Sequence, residues 1–120
     1  MKLLLDNCVP KRAKRLFVGH ECVHVSELGL SALSNGALLR ETARLGFAVL
    51  VTVDQKLRDE QHLERLPVTV LEVDTRDARF AALEQMAEHF PAAVDATQRY
   101  RFVSVSAAGT LTCLAPLDPS

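Results

Sequence analysis

The chain has 120 residues, of which 48% are hydrophobic and 24% are charged, and its formal net charge is −1. This length supports one domain with its own core, and the composition excludes general disorder. Because the net charge is close to zero, a nucleic-acid site would have to come from local clustering of basic residues.

The cysteines and the N-terminal apolar run bear on the compartment. Three cysteines without paired spacing do not form a secreted disulfide framework. The opening run of three leucines is too short for a signal peptide or a membrane span. We therefore expect a soluble cytoplasmic protein with no membrane association.

The first part of the chain predicts a strand, a helix and a second strand. Residues 1–7 read Met-Lys-Leu-Leu-Leu-Asp-Asn, an apolar run that indicates a buried strand ending at an acid. A helix is predicted over residues 10–18, because Pro10 suits its first turn and Gly19 its end. A strand over residues 21–25 follows.

The middle of the chain predicts a helix, a strand and a short helix. Apolar residues recur at helical spacing from an N-cap at Ser34 or Asn35 to a stop at Gly46. A buried strand over residues 48–53 comes next. A short amphipathic helix, or a turn and a half of one, is predicted within residues 55–66.

The following stretch predicts a fourth strand and a fourth helix. Residues 68–73 are rich in β-branched side chains, which favour a strand. The next helix is expected to be capped by Asp74 or Asp77. Pro91 either stops this helix or starts a short successor over residues 92–98.

Two strand-like runs at 100–105 and 110–114, separated by a turn, indicate a hairpin. The alternation of strands and helices predicts an α/β fold with a mostly parallel, doubly wound sheet and a C-terminal antiparallel β-hairpin. We assign residues 1–99 to the α/β core, 100–115 to the hairpin and 116–120 to a tail.

Two predicted buried strands end in acids, Asp6 and Asp54. Parallel strands would bring both carboxylates to one edge of the sheet, where open α/β sheets bind ligands. Carboxylate oxygens suit Mg²⁺ or Mn²⁺. The alternative is that each acid caps the helix that follows it.

A zinc site is a weaker hypothesis. His20, Cys22 and His24 would project from one face of a strand, but no fourth ligand is evident. The alternative is a buried cysteine beside two partly exposed histidines.

The basic residues Lys11, Arg12, Lys14 and Arg15 follow Asp6 closely and could contact phosphates. They could equally form a solvated helix face. No aromatic residue lies among them, so base stacking is not indicated. The sequence also contains no glycine-rich phosphate loop and no nucleophile motif.

Four stretches in the first 75 residues carry a family resemblance. They are MKLLLDNCVP at 1–10, GHECV at 19–23, ELGL at 27–30 and VLVTVD at 49–54. Together they resemble the small bacterial PIN-like proteins of the DUF5615 type. The resemblance implies a three-layer α/β/α fold in which acids at the carboxyl edge of the sheet bind Mg²⁺ or Mn²⁺ and cleave RNA, often as the toxin half of a toxin–antitoxin pair. Such ions activate water and neutralise phosphate charge.

The chain departs from this family pattern at three acidic positions. The family has Asp-Glu-Asn after the first strand, Ser-Asp at the second helix and Thr-x-Asp-x-Asp-Phe after the third strand. Here Asn7, Asn35 and Lys56 replace acids, while Asp6 and Asp54 remain. Two acids and one lysine give a charge of −1 over five positions where the family has five carboxylates.

Two functions from different classes follow. In the first, Asp6 and Asp54 are the catalytic residues and metal ligands of a Mg²⁺- or Mn²⁺-dependent endoribonuclease with a depleted site, and Glu27 and Asn35 could add ligands. In the second, Lys56 fills the metal position, and a surface including Lys11 and Arg12 binds RNA or a partner protein. A third possibility is a homodimer formed through the hairpin edge.

Overall fold

The computed structural model describes residues 1–117 and contains one six-stranded sheet in the order β2-β1-β3-β4-β5-β6. Neighbouring strands are parallel except β5 and β6, which are antiparallel. The predicted mostly parallel sheet with a C-terminal hairpin is therefore confirmed. The strands are β1 (Lys2–Leu5), β2 (Glu21–His24), β3 (Val49–Thr52), β4 (Thr69–Asp74), β5 (Tyr100–Ser106) and β6 (Leu111–Pro116).

Both faces of the sheet are covered, which explains the unbroken apolar strands. Leu3, Leu4 and Leu5 are each fully buried. Because successive side chains of a strand point to opposite faces, Leu3 and Leu5 join one apolar cluster and Leu4 joins the other. The protein is thus a three-layer α/β/α sandwich.

Each face has its own set of helices. The first face carries α3, α4 and a 3₁₀ helix that we call the basic helix, and the second carries α1 and α2. The α-helices are α1 (Asn35–Arg44), α2 (Lys56–Glu60), α3 (Phe80–Met86) and α4 (Phe90–Ala96). The 3₁₀ helices are the basic helix (Lys11–Leu16) and three shorter ones at Val25–Leu28, Leu63–Arg65 and Ala87–His89.

The helix predicted over 10–18 is wrong in type, whereas residues 55–66 contain the turn and a half of α-helix that was the shorter alternative for that segment. The helix predicted over 10–18 is the 3₁₀ basic helix, which buries only Ala13 among its own residues. The helix predicted within 55–66 is broken into α2 and the 3₁₀ helix Leu63–Arg65. Few apolar residues dock in either segment, so little packing favours a regular α-helix.

The helix after β4 begins later than predicted. Its N-cap is Arg79, without a side-chain bond, whereas Asp74 is the last residue of β4. Asp77 lies in the preceding turn and accepts hydrogen bonds from Arg79. A 3₁₀ turn joins α3 to α4, and Pro91 stands in the first turn of α4, so it starts a successor helix.

The hairpin is continuous with the parallel sheet, because β5 pairs with β4 along most of its length. β6 extends to Pro116, which lies opposite Tyr100. The predicted tail therefore begins inside a strand, and its last residues, 118–120, lie outside the described part of the chain. Within residues 1–117, no helix is long and apolar enough to cross a membrane.

Candidate functional site

Four polar residues form a row across the carboxyl ends of neighbouring strands, on the face covered by α1 and α2. Thr52 pairs with Glu72, and Glu72 pairs with Ser104, in the registers of β3–β4 and β4–β5. Asp6 directly follows β1, and its amide donates to the Val51 carbonyl at 2.9 Å. We call Asp6, Thr52, Glu72 and Ser104 the polar row; all four are buried.

Asp6 is only 9% exposed, and protein donors contact both of its carboxylate oxygens. Oδ1 accepts from the Asn7 amide at 2.7 Å, and Oδ2 accepts from the Thr52 hydroxyl at 2.8 Å. The Cys8 thiol lies 3.4 Å from Oδ2. Desolvation of its sulfur raises the pKa of Cys8, so the thiol stays protonated and can donate.

Thr52 connects the two predicted metal ligands. Its hydroxyl oxygen donates to Asp6 and accepts from the Asp54 amide at 3.0 Å. The Asp54 carboxylate in turn accepts from the Lys56 amide at 2.9 Å, at the start of α2. Asp54 therefore accepts from the first amide of α2, although the N-cap of that helix is Gln55, and it lies beside the polar row.

Lys56 is exposed, and its ammonium forms no ion pair within the described chain. Its side chain therefore does not lie between Asp6 and Asp54 in this structure. Lys56 contributes to the edge an exposed positive charge two residues after Asp54.

Glu27 and Asn35, the two proposed additional ligands, have other partners. Glu27 Oε1 lies 2.5 Å from Lys14 Nζ and 3.4 Å from Lys11 Nζ. Its Oε2 accepts from the His24 amide at 3.3 Å and completes a capping box. The hydrogen bond from Lys14 is the main reason that the pKa of Glu27 is lowered. Asn35 Nδ2 donates to Glu60 at 3.3 Å.

The donor set as arranged does not fit a metal ion held by several protein ligands. Among residues 1–117 there is no group of three or more His, Cys, Asp or Glu side chains placed to hold one. Both carboxylate oxygens of Asp6 accept from protein donors, and Glu27 is paired with two lysines. Asp54 keeps a partly exposed carboxylate next to the polar row, and Asp74 at the end of β4 is exposed.

The three residues considered for zinc also have other roles. Nδ1 of His24 lies 2.8 Å from the Ser26 hydroxyl, and Nε2 lies 2.7 Å from the Val9 carbonyl. Burial raises the pKa of Cys22 to about 11, which disfavours the thiolate that binds zinc. His20 contacts the amino group of Met1 at 3.1 Å.

Sequence reasoning missed a buried ionisable pair in the polar row. Glu72 is 1% exposed, and its Oε1 lies 3.2 Å from both Arg58 Nη2 and the Ser104 hydroxyl. Glu72 Oε2 and Arg58 Nε are buried without a hydrogen-bond partner among the described residues. The available signal was an acid inside the buried run Val70-Leu71-Glu72-Val73.

Burial raises the pKa of Glu72, and the nearby carboxylates Asp74 and Asp54 raise it further. Arg58 and the Ser104 hydroxyl oppose this shift but do not outweigh it. Arg58 also lies over the Phe102 ring, 5.2 Å from its centre. The pair thus anchors α2 to β4 and β5 and brings an ionisable group close to Asp54.

The basic helix lies on the other face of the sheet, after the loop that leaves Asp6. Lys11, Arg12 and Arg15 are exposed. The guanidinium carbon of Arg12 lies 4.3 Å from the centre of the Phe80 ring, at the start of α3. The helix therefore presents several cations to solvent near the carboxyl edge.

The fold and its edge define a class: a three-layer α/β/α protein whose first and third strands end in acids, beside a short cationic helix. No family model matches the chain, and no curated protein or solved structure is significantly similar to it. The PIN-like resemblance therefore rests on the sequence stretches quoted above.

Proposed function

We propose that this chain is a PIN-like protein, related to metal-dependent ribonucleases, that binds RNA at the carboxyl edge of its sheet and has little or no hydrolytic activity. The observation that carries the proposal is the state of Asp6. Its carboxylate accepts from Asn7 and Thr52 and contacts the Cys8 thiol, so it is occupied by the protein's own donors.

Exposed cations near this edge supply the RNA contacts in the proposal. Lys11, Arg12 and Arg15 of the basic helix and Lys56 at the start of α2 are all exposed. With a net charge of −1 for the whole chain, attraction for phosphates comes from these local groups. Binding should therefore be strongly salt-dependent and independent of metal.

The second candidate function is a Mg²⁺- or Mn²⁺-dependent endoribonuclease that uses Asp6 and Asp54, acting as a cytoplasmic toxin with an antitoxin-like partner. The hydrogen bonds through Thr52 favour it, because they hold both acids at one edge. Magnesium sites often need only one or two carboxylates besides water and substrate phosphate. In this candidate, Asp6 must first be released from Thr52 and Cys8.

One experiment separates the candidates. Purified protein is mixed with labelled single-stranded and structured RNA in Mg²⁺, Mn²⁺ or EDTA, and both binding and cleavage are followed. We expect binding in all three conditions and no cleavage. Asp6→Asn should bind RNA like the parent, as should the control Asp95→Asn, which changes an acid that is 61% exposed on α4.

Metal-dependent cleavage that is lost in Asp6→Asn but kept in Asp95→Asn would establish the second candidate. A protein that neither binds nor cleaves either RNA would contradict both. Thermal unfolding adds an independent measurement, since an ion at 100 times its Kd would stabilise the fold by about 2.7 kcal/mol. We expect no such stabilisation.

A further inference from the structure

The basic helix displays its four cations as two rows. A 3₁₀ helix has three residues per turn, so side chains at positions i and i+3 lie above one another, about 6 Å apart along the axis. Lys11 and Lys14 form one row, and Arg12 and Arg15 form the other. The contacts agree with this geometry, since both lysines reach Glu27 while Arg12 packs on Phe80.

The two rows differ in whether they have an anion. The lysine row is bridged by Glu27, whose Oε1 contacts both ammonium groups. For the arginine row, residues 1–117 provide no acidic partner within ion-pair distance. Arg12 and Arg15 are nevertheless exposed, and the Phe80 ring supports the Arg12 guanidinium from one side.

We propose that the basic helix binds successive phosphates of a single RNA strand, and that Glu27 occupies the lysine row in the free protein as an internal substitute for a phosphate. This inference rests on the proposed function and deepens it. RNA would first meet the arginine row and then displace Glu27 from Lys11 and Lys14. Glu27 thereby weakens binding and limits it to polyanions that contact both rows.

Three observations favour RNA phosphates as the ligand. The spacing within a row is comparable to the separation of neighbouring phosphates along one strand. Arginine forks match phosphate oxygens in geometry. The helix also follows directly on the loop from Asp6, so its first turn lies beside the carboxyl edge where the proposed function places RNA.

Displacement of Glu27 is feasible because its side chain is 26% exposed and the Lys11 side chain is 60% exposed. Exposed ion pairs of this kind contribute little to stability and are screened by salt. The Glu27 backbone position does not depend on the lysines, since its Oε2 also accepts from the His24 amide in the capping box.

The test substitutes Glu27→Gln, which removes the charge but keeps an oxygen for the His24 amide. Glu41→Gln is the matched control, because Glu41 is also paired with a basic residue, Arg44, and its side chain is 27% exposed. Binding of a labelled oligouridylate is measured by fluorescence anisotropy over a salt series without divalent metal. Both variants change the net charge equally, so a difference between their RNA affinities reflects the position of the removed charge.

We expect Glu27→Gln to bind roughly three- to tenfold more tightly at low salt, because RNA no longer has to displace Glu27 from the lysines. The difference from the parent should shrink as salt rises, since salt screens the ion pairs that Glu27 makes in the parent. Glu41→Gln should match the parent. The double variant Arg12→Gln, Arg15→Gln should lose about 1.4 of the slope of log K against log salt.

Each other outcome has a distinct meaning. If the parent binds RNA but Glu27→Gln binds no more tightly than Glu41→Gln, the inference is wrong while the proposed function stands. If no variant binds RNA, both are wrong. If a polyglutamate competitor binds with the same slope and RNA does not, the surface serves an acidic protein, which overturns the inference.

Discussion

Thr52 is the residue on which the geometry of the two retained acids depends. Its side chain is fully buried, and its hydroxyl serves Asp6 as a donor and the Asp54 amide as an acceptor. A hydroxyl in this position makes one hydrogen bond to each of the two acidic residues. The loss of such a bond costs about 1–3 kcal/mol, because the remaining partner keeps its desolvation penalty.

We therefore predict that Thr52→Val lowers the free energy of unfolding by about 1–3 kcal/mol. Thr42→Val is the control, since Thr42 is equally buried but its hydroxyl only donates to the Leu38 carbonyl within α1. That substitution should cost less than about 1 kcal/mol. Urea denaturation of both variants measures the difference, and equal costs would mean that Thr52 does not hold the acids.

Glu72 gives a prediction about pH. Its pKa is raised above the ordinary value of 4.5, chiefly by burial, so the folded protein holds this proton more tightly than the unfolded chain. The stability it contributes is complete below pH 4.5 and is lost as pH rises through the folded pKa. Glu72→Gln, which carries no titratable proton, should remove this loss.

Urea unfolding at pH 4.5 and 7.5 tests the prediction. The parent should lose more stability between these two values than Glu72→Gln does. The exposed residue Glu84 on α3 provides the control, and Glu84→Gln should follow the parent. A Glu72→Gln variant with the same pH dependence as the parent would show that folding does not raise the pKa of Glu72.

These residues also show where sequence reasoning ended. Asp6 and Asp54 could be placed at the carboxyl edge, because each directly follows an apolar run that had to be a buried strand. Their partners could not be found, since Thr52, Glu72 and Ser104 meet only through the registers of three strands. The sequence indicates where a strand ends more readily than which residues lie beside it on the neighbouring strands.

Among the elements, the strands followed from the sequence better than the helices did. A fully buried strand has a strong apolar signature, so 48–53 was predicted close to the observed Val49–Thr52. The sequence does not predict whether the basic helix is an α-helix or a 3₁₀ helix. In a segment this short, both types leave the same charged residues exposed. Tertiary contacts decide its form.

The residue just after the basic helix, Phe17, packs this part of the chain against α4. Phe17 is 4% exposed and stacks on Phe90 of α4, with ring centres 4.8 Å apart and an interplanar angle of 4°. The next residue, Val18, is 86% exposed. Adjacent positions therefore have opposite roles.

We predict that Phe17→Ala destabilises the protein by about 3–5 kcal/mol, because it removes both apolar burial and the stacked ring. Val18→Ala should change stability by less than about 0.5 kcal/mol. Thermal or urea unfolding of the two variants measures the contrast. A small effect of Phe17→Ala would mean that the basic helix is held by other contacts.

For the whole molecule, the last two strands differ in how far the fold depends on them. β5 is internal to the sheet, and Phe102, Val103 and Val105 are fully buried. β6 is an edge strand whose residues are mostly half-buried. Within the hairpin, β5 therefore belongs to the core and β6 forms the edge of the sheet.

We expect a chain ending at residue 99 not to fold, because both apolar clusters would lose members from β5. A chain ending at residue 110 should retain a cooperative but weaker transition, since β5 then becomes the edge. Circular dichroism during urea titration distinguishes the two cases. Cooperative unfolding of residues 1–99 would contradict this account of the sheet.

The strand order has a consequence for synthesis on the ribosome. Once β3 has paired with β1, each later strand in the chain joins beside the strand that precedes it, from β4 to β6. β1 receives β2 on one side and β3 on the other, and no strand has to be inserted between two that are already paired. The sheet can thus assemble outward in the direction of translation, with its newest edge protected only when the next strand emerges.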